Sequence, residues 1–393
     1  MNDFWNNVKE KIIGKKDLAS IGVANLIGSG FAAIFWFYLA SIINPENYGE
    51  IHYFLGIAGM AQIVSLISTP NVVTVYTAKN IKIQSTLFFI SICAGIISAI
   101  VVFILFEKID VSFLILGYII FELVNGVLIG RKLFQKYAKF FLIQKMLTLV
   151  LGISFYFTFG YEGVIFALVV SYIPTIWIVY NEFRNSRIDL SLLKPRKGFI
   201  ANNYGINISN AISAQIDKII IAPILGFELL GNYALALQFL VVLMMLSNIV
   251  FKYLLTHESS GKDTHRLKNY TILISIAIAI IGVLVLPNII PVLFPKFVSS
   301  IVAIQIISLS VVPATISLLY ESKFLALEKS KFLVMSKSIG TIIIVSGFLT
   351  LGLSYEMIGL AVSLLLSSVF QAIFLFVSNR ILNIGKEEEN NVK

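Results

Sequence analysis

The sequence predicts an all-α polytopic membrane protein: twelve transmembrane helices in two six-helix lobes related by a parallel pseudo-two-fold repeat. Three observations carry this expectation. First, 58% of the 393 residues are hydrophobic and 13% are charged, against about 25% charged in a soluble domain. Mean hydropathy is +0.90, and so few charges cannot cover a water-exposed surface. Second, the apolar residues fall in blocks of roughly 20 or more, the length a helix needs to cross ~30 Å of hydrocarbon. Third, Lys and Arg concentrate in every second connection between those blocks.

The N-terminus is polar for 16 residues. The apolar block that follows, 18–43, is longer than the 7–15-residue core of a cleaved signal peptide, so it reads as a first span that stays in the protein. The remaining spans are 51–78, 83–106, 111–130, 140–159, 161–180, 199–225, 232–255, 270–290, 298–319, 332–353 and 356–378. The shortest breaks, Gly160–Tyr161 and Ser354–Tyr355, are turns marked by Gly or Ser and an acid, Glu162 or Glu356.

With the N-terminus in the cytoplasm, 27 of the 30 Lys and Arg fall inside, Lys108 and Lys296 fall outside, and Lys218 lies within a span. Basic residues stay cytoplasmic during insertion. The pattern therefore places a multi-pass protein in the cell (plasma) membrane with both termini inside. The net charge of +9 is then a topology signal and a contact with lipid headgroups, and nucleic acid is excluded as a partner. The absence of alternating strand patterns excludes a membrane β-barrel. The lone Cys93 cannot form an internal disulfide and says nothing of redox compartment.

All connections are short, so no soluble catalytic domain is expected. The longest, 181–198, divides an N-terminal lobe, 1–190, from a C-terminal lobe, 191–393, whose polar tail at 386–393 is expected to be disordered. A shift of 182 residues lays Glu46 on Glu228, Gly49 on Gly231, Asn25 on Asn207, Ala32 on Ala214 and Ser65 on Ser247. Six spans per half keep both halves in one orientation, a known transporter plan.

The stretch "DKIIIAPILGFELLGNYALALQ", Asp217–Gln238, and its first-half counterpart "NPENYGEI", Asn44–Ile51, resemble prokaryotic polysaccharide exporters of the O-antigen flippase type. Those exporters share a superfamily with multidrug-and-toxin extrusion transporters and lipid II flippases. The resemblance implies movement of a polyprenyl-linked oligosaccharide from the inner to the outer leaflet by alternating access. It departs from the family in being short and in having few deep cations.

Within the spans, Asn203, Asn207, Asn210, Ala214 and Asp217 are spaced 4, 3, 4 and 3, which sets them on one helical face. Span 1 offers Asn25, Gly28 and Ala32 at matching positions. Amides facing lipid lack partners, so these faces are expected to look toward the gap between the halves; interhelical packing is the other use of such faces. Asp217 lies roughly 14 Å below its outer helix end, and Glu122 roughly 17 Å below its own. Charges at that depth have a partner or a function.

Four roles follow as expectations. Lys218 contacts phosphate, with Lys145 and Lys252 as an access site. Asn25, Asn207 and Asn210 contact sugar hydroxyls, and Asn203 lines the same cavity. Asp217 or Glu122 carries a coupling H⁺ or Na⁺. Lys218 and Glu122 form a pair that breaks during transport.

No cofactor, metal or catalytic centre is expected. The "GKDT" run lacks the first Gly and the Ser/Thr of a phosphate loop, and His257 and His265 flank a solvated loop. Gly126 and Gly130 form a helix-contact motif. The expected partners are the lipid-linked oligosaccharide and membrane lipids, with the protein working as a monomer. The alternative function is an ion-coupled multidrug or cation exporter, whose cavity is expected to be acidic. A membrane enzyme is disfavoured by the short loops.

Overall fold

The computed structural model of the protein describes residues 2–258, 264–327 and 329–391, and their side chains except those of 2–20, 206, 209–213, 256 and 382–391. Among the described residues there is no strand. The helices are α1 (Asn2–Ile42), α2 (Pro45–Ser65), α3 (Pro70–Ala78), α4 (Gln84–Phe106), α5 (Ile109–Gly130), α6 (Phe134–Phe159), α7 (Glu162–Ser171), α8 (Ile173–Asn185), α9 (Lys197–Leu225), α10 (Phe227–Leu243), α11 (Met245–Glu258), α12 (His265–Leu284), α13 (Leu286–Leu293), α14 (Ile301–Leu309), α15 (Val311–Ala326), α16 (Ser330–Gly347) and α17 (Leu353–Asn391).

Among the described residues, eight helices are long and apolar enough to cross a membrane, or up to ten if each of two bent pairs is one span. Large apolar side chains turn outward, Ile104 at 70%, Leu105 at 68% and Val292 at 76% exposure. Faces of this kind are stable against hydrocarbon, not water. The interior is the reverse. Gln144 donates to Thr148 (3.0 Å) and Ser171 (3.1 Å), Ser65 donates to Ser98 (2.6 Å), and Ser247 and Thr315 share a 2.7 Å hydrogen bond. Small polar residues at helix contacts allow close approach and exchange hydrogen bonds that lipid cannot supply. The protein is a multi-pass helical membrane protein.

The chain forms two compact units. Unit 1 comprises Met1–Leu39 and Phe54–Ala211; unit 2 comprises Ala40–Tyr53 and Ile212–Lys393. In unit 1, α5 packs against α3, α4, α6, α7 and α8. Gly126 and Gly130 make the α3 contact: a Cβ on Gly126 would lie 2.8 Å from the Pro70 carbonyl oxygen, and one on Gly130 would lie 2.7 Å from that of Thr74. Thr74 Oγ1 donates to the Gly126 carbonyl at 3.0 Å, sealing that seam. At one end of α5, Arg131 forms a fork-on-fork pair with Glu182, both contacts 2.6 Å, while Ser85 donates to the Glu182 carbonyl at 2.8 Å. Planar guanidinium and carboxylate match in such a pair, fixing α8 against α4 and α5.

The spans expected at 51–78 and 232–255 are each broken. Pro70 opens α3 after a 43° bend from α2, and α10 meets α11 at 46° beside Met244. Pro174 stands in the first turn of α8, just past the break at Tyr172. The turn at Gly160 adopts φ +72° and that at Gly226 φ +90°, a region costly to residues with a Cβ. The turn expected at Ser354–Tyr355 centres on Glu356, φ 46°. The helices on either side run back along each other: Gly340 faces Gln371, Gly347 faces Ser363, and Gly359 faces Leu351.

Unit 2 contains a reciprocal contact. A Cβ on Gly49 would collide with the Phe227 carbonyl oxygen, and one on Gly231 would collide with that of Pro45. Pro45 and Phe227, like Gly49 and Gly231, are 182 residues apart. The first turns of α2 and α10 therefore cross backbone to backbone, each through its own glycine.

Candidate functional site

The motif Asp217–Gln238 folds as the end of α9, a one-residue turn at Gly226 and the start of α10. The fold brings its two ends to one cavity of about 180 Å³, lined by His52, Ala214, Asp217, Lys218, Leu230, Tyr233, Ala234, Leu237, Gln238 and Val241. All lie in unit 2. Tyr233 and Leu237, then Gln238 and Val241, follow spacings of four and three, so α10 offers one face to the cavity. His52 reaches it from α2, one turn after Tyr48, whose ring it meets at 4.6 Å. Tyr48 is fixed in turn by an edge contact with Phe297 at 5.6 Å.

The Asp217 carboxylate accepts from the Lys218 backbone N–H at 2.8 Å, and the Lys218 ammonium donates to Gln215 Oε1 at 2.7 Å. The two side chains diverge, as neighbours on a helix must. Tyr233 is fully buried, and its hydroxyl has no partner among the described residues. Its charge environment includes Asp217, and that of His52 includes Lys218. A small space thus gathers a carboxylate, an ammonium, an imidazole, a phenol and an amide. Such a set can hold a cation on Asp217 or an anion on Lys218, and can move a proton between them.

In unit 1, Asn25 Oδ1 accepts from the Tyr137 hydroxyl at 3.4 Å. Asn203 Nδ2 donates to the Phe199 carbonyl one turn back at 2.9 Å, so that amide is spent on its own helix. Asn207 keeps a buried Nδ2 without a partner among the described residues. The Asn210 side chain lies outside the described residues. Lys218 thus has Gln215 as its hydrogen-bond partner within unit 2, and Glu122 has Lys145 as its charged neighbour within unit 1. Lys218 reaches an amide three residues away on its own helix, which needs no second element. Lys252 is exposed on α11.

The reading from sequence missed His52, Tyr233 and Gln238. Tyr233 and Gln238 lie within the quoted motif, but their role needs the Gly226 turn to become visible. His52 had a signal, an imidazole inside an apolar run, a type rarely fully buried without a task.

This fold is shared with solved membrane transporters. A multidrug resistance MATE family transporter of the MOP superfamily, inward-facing, superposes with a TM-score of 0.70 at 14% identity, covering 94% of this chain and 99% of that one. The lipid II flippase MurJ, inward closed, gives 0.75 at 12%, with 92% and 87% covered. A MOP superfamily transporter from Pyrococcus furiosus, described as having a binding pocket of reversed polarity, gives 0.54 at 13%, with 93% and 92% covered. No curated protein matches the chain. The chain thus has the fold of these membrane transporters. Residues 15–256 match the polysaccharide biosynthesis protein family, and the chain belongs to that family.

Proposed function

We propose that the protein is an alternating-access flippase that carries a polyprenyl-linked oligosaccharide from the inner to the outer leaflet of the plasma membrane. The observation that carries the reading is the pairing of a polysaccharide biosynthesis family with the fold of a lipid II flippase. On this reading the chain is not an enzyme. It has twelve spans in two six-span lobes, 1–190 and 191–393, with both termini cytoplasmic. The eight to ten apolar spans support that count, since the 52-residue stretch Ser330–Ile381 reverses at Glu356 and α9 is long enough to add one more. The reciprocal Gly49–Gly231 contact supports the repeat.

Asp217 carries the coupling H⁺ or Na⁺, because it faces a cavity with His52 and Tyr233. Lys218 contacts phosphate once released from Gln215. Asn25, Asn207 and Asn210 serve sugar hydroxyls, and Asn207, with its unspent amide, is the strongest of the three; Asn203 lines the same face. The protein works as a monomer among membrane lipids.

The test is transport of a fluorescent lipid-linked oligosaccharide across vesicles containing the purified chain, with and without an ion gradient. The flippase moves the label to the opposite leaflet, and Asp217→Asn loses the response to the gradient. The MATE-type fold favours a second reading, an ion-coupled exporter of cationic drugs. Vesicles that concentrate an organic cation and leave the labelled glycolipid in place would establish that one instead.

A further inference from the structure

Unit 1 holds a second cluster, built by α1, α5, α6 and the α7–α8 junction. On α6, Tyr137, Phe141 and Lys145 are four residues apart and stack along one face. On α5, Phe121 and Glu122 follow Tyr118 by three and four residues, so they lie on either side of its face. Rings frame the space between. Tyr118 meets Tyr172 edge-on at 5.6 Å, Phe121 meets Tyr172 at 5.4 Å, and Phe141 stacks on Phe121 at 6.3 Å and on Tyr137 at 5.8 Å. Two glycines let this frame close. A Cβ on Gly28 of α1 would strike Phe141 and lie 3.3 Å from Lys145 Cγ, and one on Gly117 would lie 2.9 Å from the Tyr172 ring.

Glu122 and Lys145 face into this frame. Each feels the other's charge, and Glu122 also acts on Tyr137 and Tyr172. Among the described residues, neither makes an ion pair or a hydrogen bond; the Lys145 ammonium rests 5.6 Å over the Phe141 ring. A buried carboxylate and ammonium ordinarily close on each other, since each alone is costly in an apolar wall. Here both are half-buried beside aromatic rings, and neither spends its bonding capacity on a hydrogen bond or ion pair among the described residues.

We propose that this cluster binds a phosphorylated sugar, the glycosyl-phosphate head of the lipid-linked glycan. The inference rests on the flippase reading and adds to it the place and chemistry of head recognition. Lys145 takes a phosphate oxygen, Glu122 accepts from sugar hydroxyls, and the rings of Tyr118, Phe141 and Tyr172 pack on the C–H face of the pyranose. An inorganic anion uses the lysine alone. An uncharged sugar uses the carboxylate and the rings. A glycosyl phosphate uses all three. An organic cation gains Glu122 and is opposed by Lys145.

Equilibrium binding to the full chain in nanodiscs tests this, with farnesyl diphosphate and farnesyl diphosphoglucose as probes. Wild type binds the glucosylated probe about tenfold tighter. Lys145→Gln weakens both probes about tenfold, the scale of a lost charged hydrogen bond, and Lys145→Arg retains both. Glu122→Gln brings the two affinities together without weakening plain farnesyl diphosphate. Equal affinities in wild type, or an unchanged preference in Glu122→Gln, would overturn the site. If wild type transports the glycolipid while Lys145→Gln and Glu122→Gln bind and transport as wild type does, the site falls and the flippase stands. If wild type moves no glycolipid, the flippase reading falls, and the probe affinities still decide the site.

Discussion

Tyr233 is fully buried with an unpartnered hydroxyl among the described residues. A buried hydroxyl without a partner costs about 1–3 kcal/mol. On the flippase reading, that cost beside Asp217, Lys218 and His52 is offset by a partner that the hydroxyl meets during the working cycle. Tyr233→Phe should therefore hold or raise the thermal unfolding midpoint while slowing gradient-driven transport about tenfold. A lower midpoint with unaltered transport would make the hydroxyl a packing group. Asp217 and Lys218 were legible in the sequence because charge in an apolar run is conspicuous. The company they keep was not. That Lys218 donates to Gln215 depends on side-chain reach within one helix, and no spacing rule ranks a local partner against a tertiary one.

At the scale of elements, periodicity and length gave most helices, and the glycine pair of α5 marked its contact with α3. Breaks were less legible. Pro70 announces one bend, but Met244 sits at the other, and neither it nor its neighbours carries a turn signature. That bend comes from how α10 and α11 pack against α14 and α15, information spread over distant residues. The offset that aligned Gly49 with Gly231 held more than a resemblance of letters, since those residues meet in space. Gly231→Ala forces the Pro45 carbonyl away from α10, and overpacking of a close backbone crossing costs about 1–3 kcal/mol. The expected result is a lowered unfolding midpoint, reproduced by Gly49→Ala through the same contact. Replacing Gly30, whose Cβ meets nothing within 4 Å, should leave the midpoint unchanged. Equal effects at all three would remove the crossing as a special contact.

For the whole molecule, composition alone settled the solvent: a chain with 13% charged residues must place most of its surface against hydrocarbon, and its exposed Ile, Leu and Val do so. Composition does not settle how the chain divides. Ala40–Tyr53 precedes most of unit 1 in sequence yet belongs to unit 2, because the Gly49 crossing and the Tyr48–Phe297 contact hold it there. Such an exchange leaves no mark in hydropathy. Orientation, by contrast, rests on charge and can be tested directly. Lys108 and Lys296 stand apart from 27 other basic residues on the opposite side of the alternation, a bias that insertion converts into sidedness. A fluorescent protein that matures only in the cytoplasm, fused at residue 393, should fluoresce, and alkaline phosphatase at the same point should be inactive. Truncations fused after 108 and after 296 should show the reverse, and those after 132 and after 268 should match the full chain. An inverted series would place both termini outside, and a series that loses alternation at one point would locate a span that does not cross.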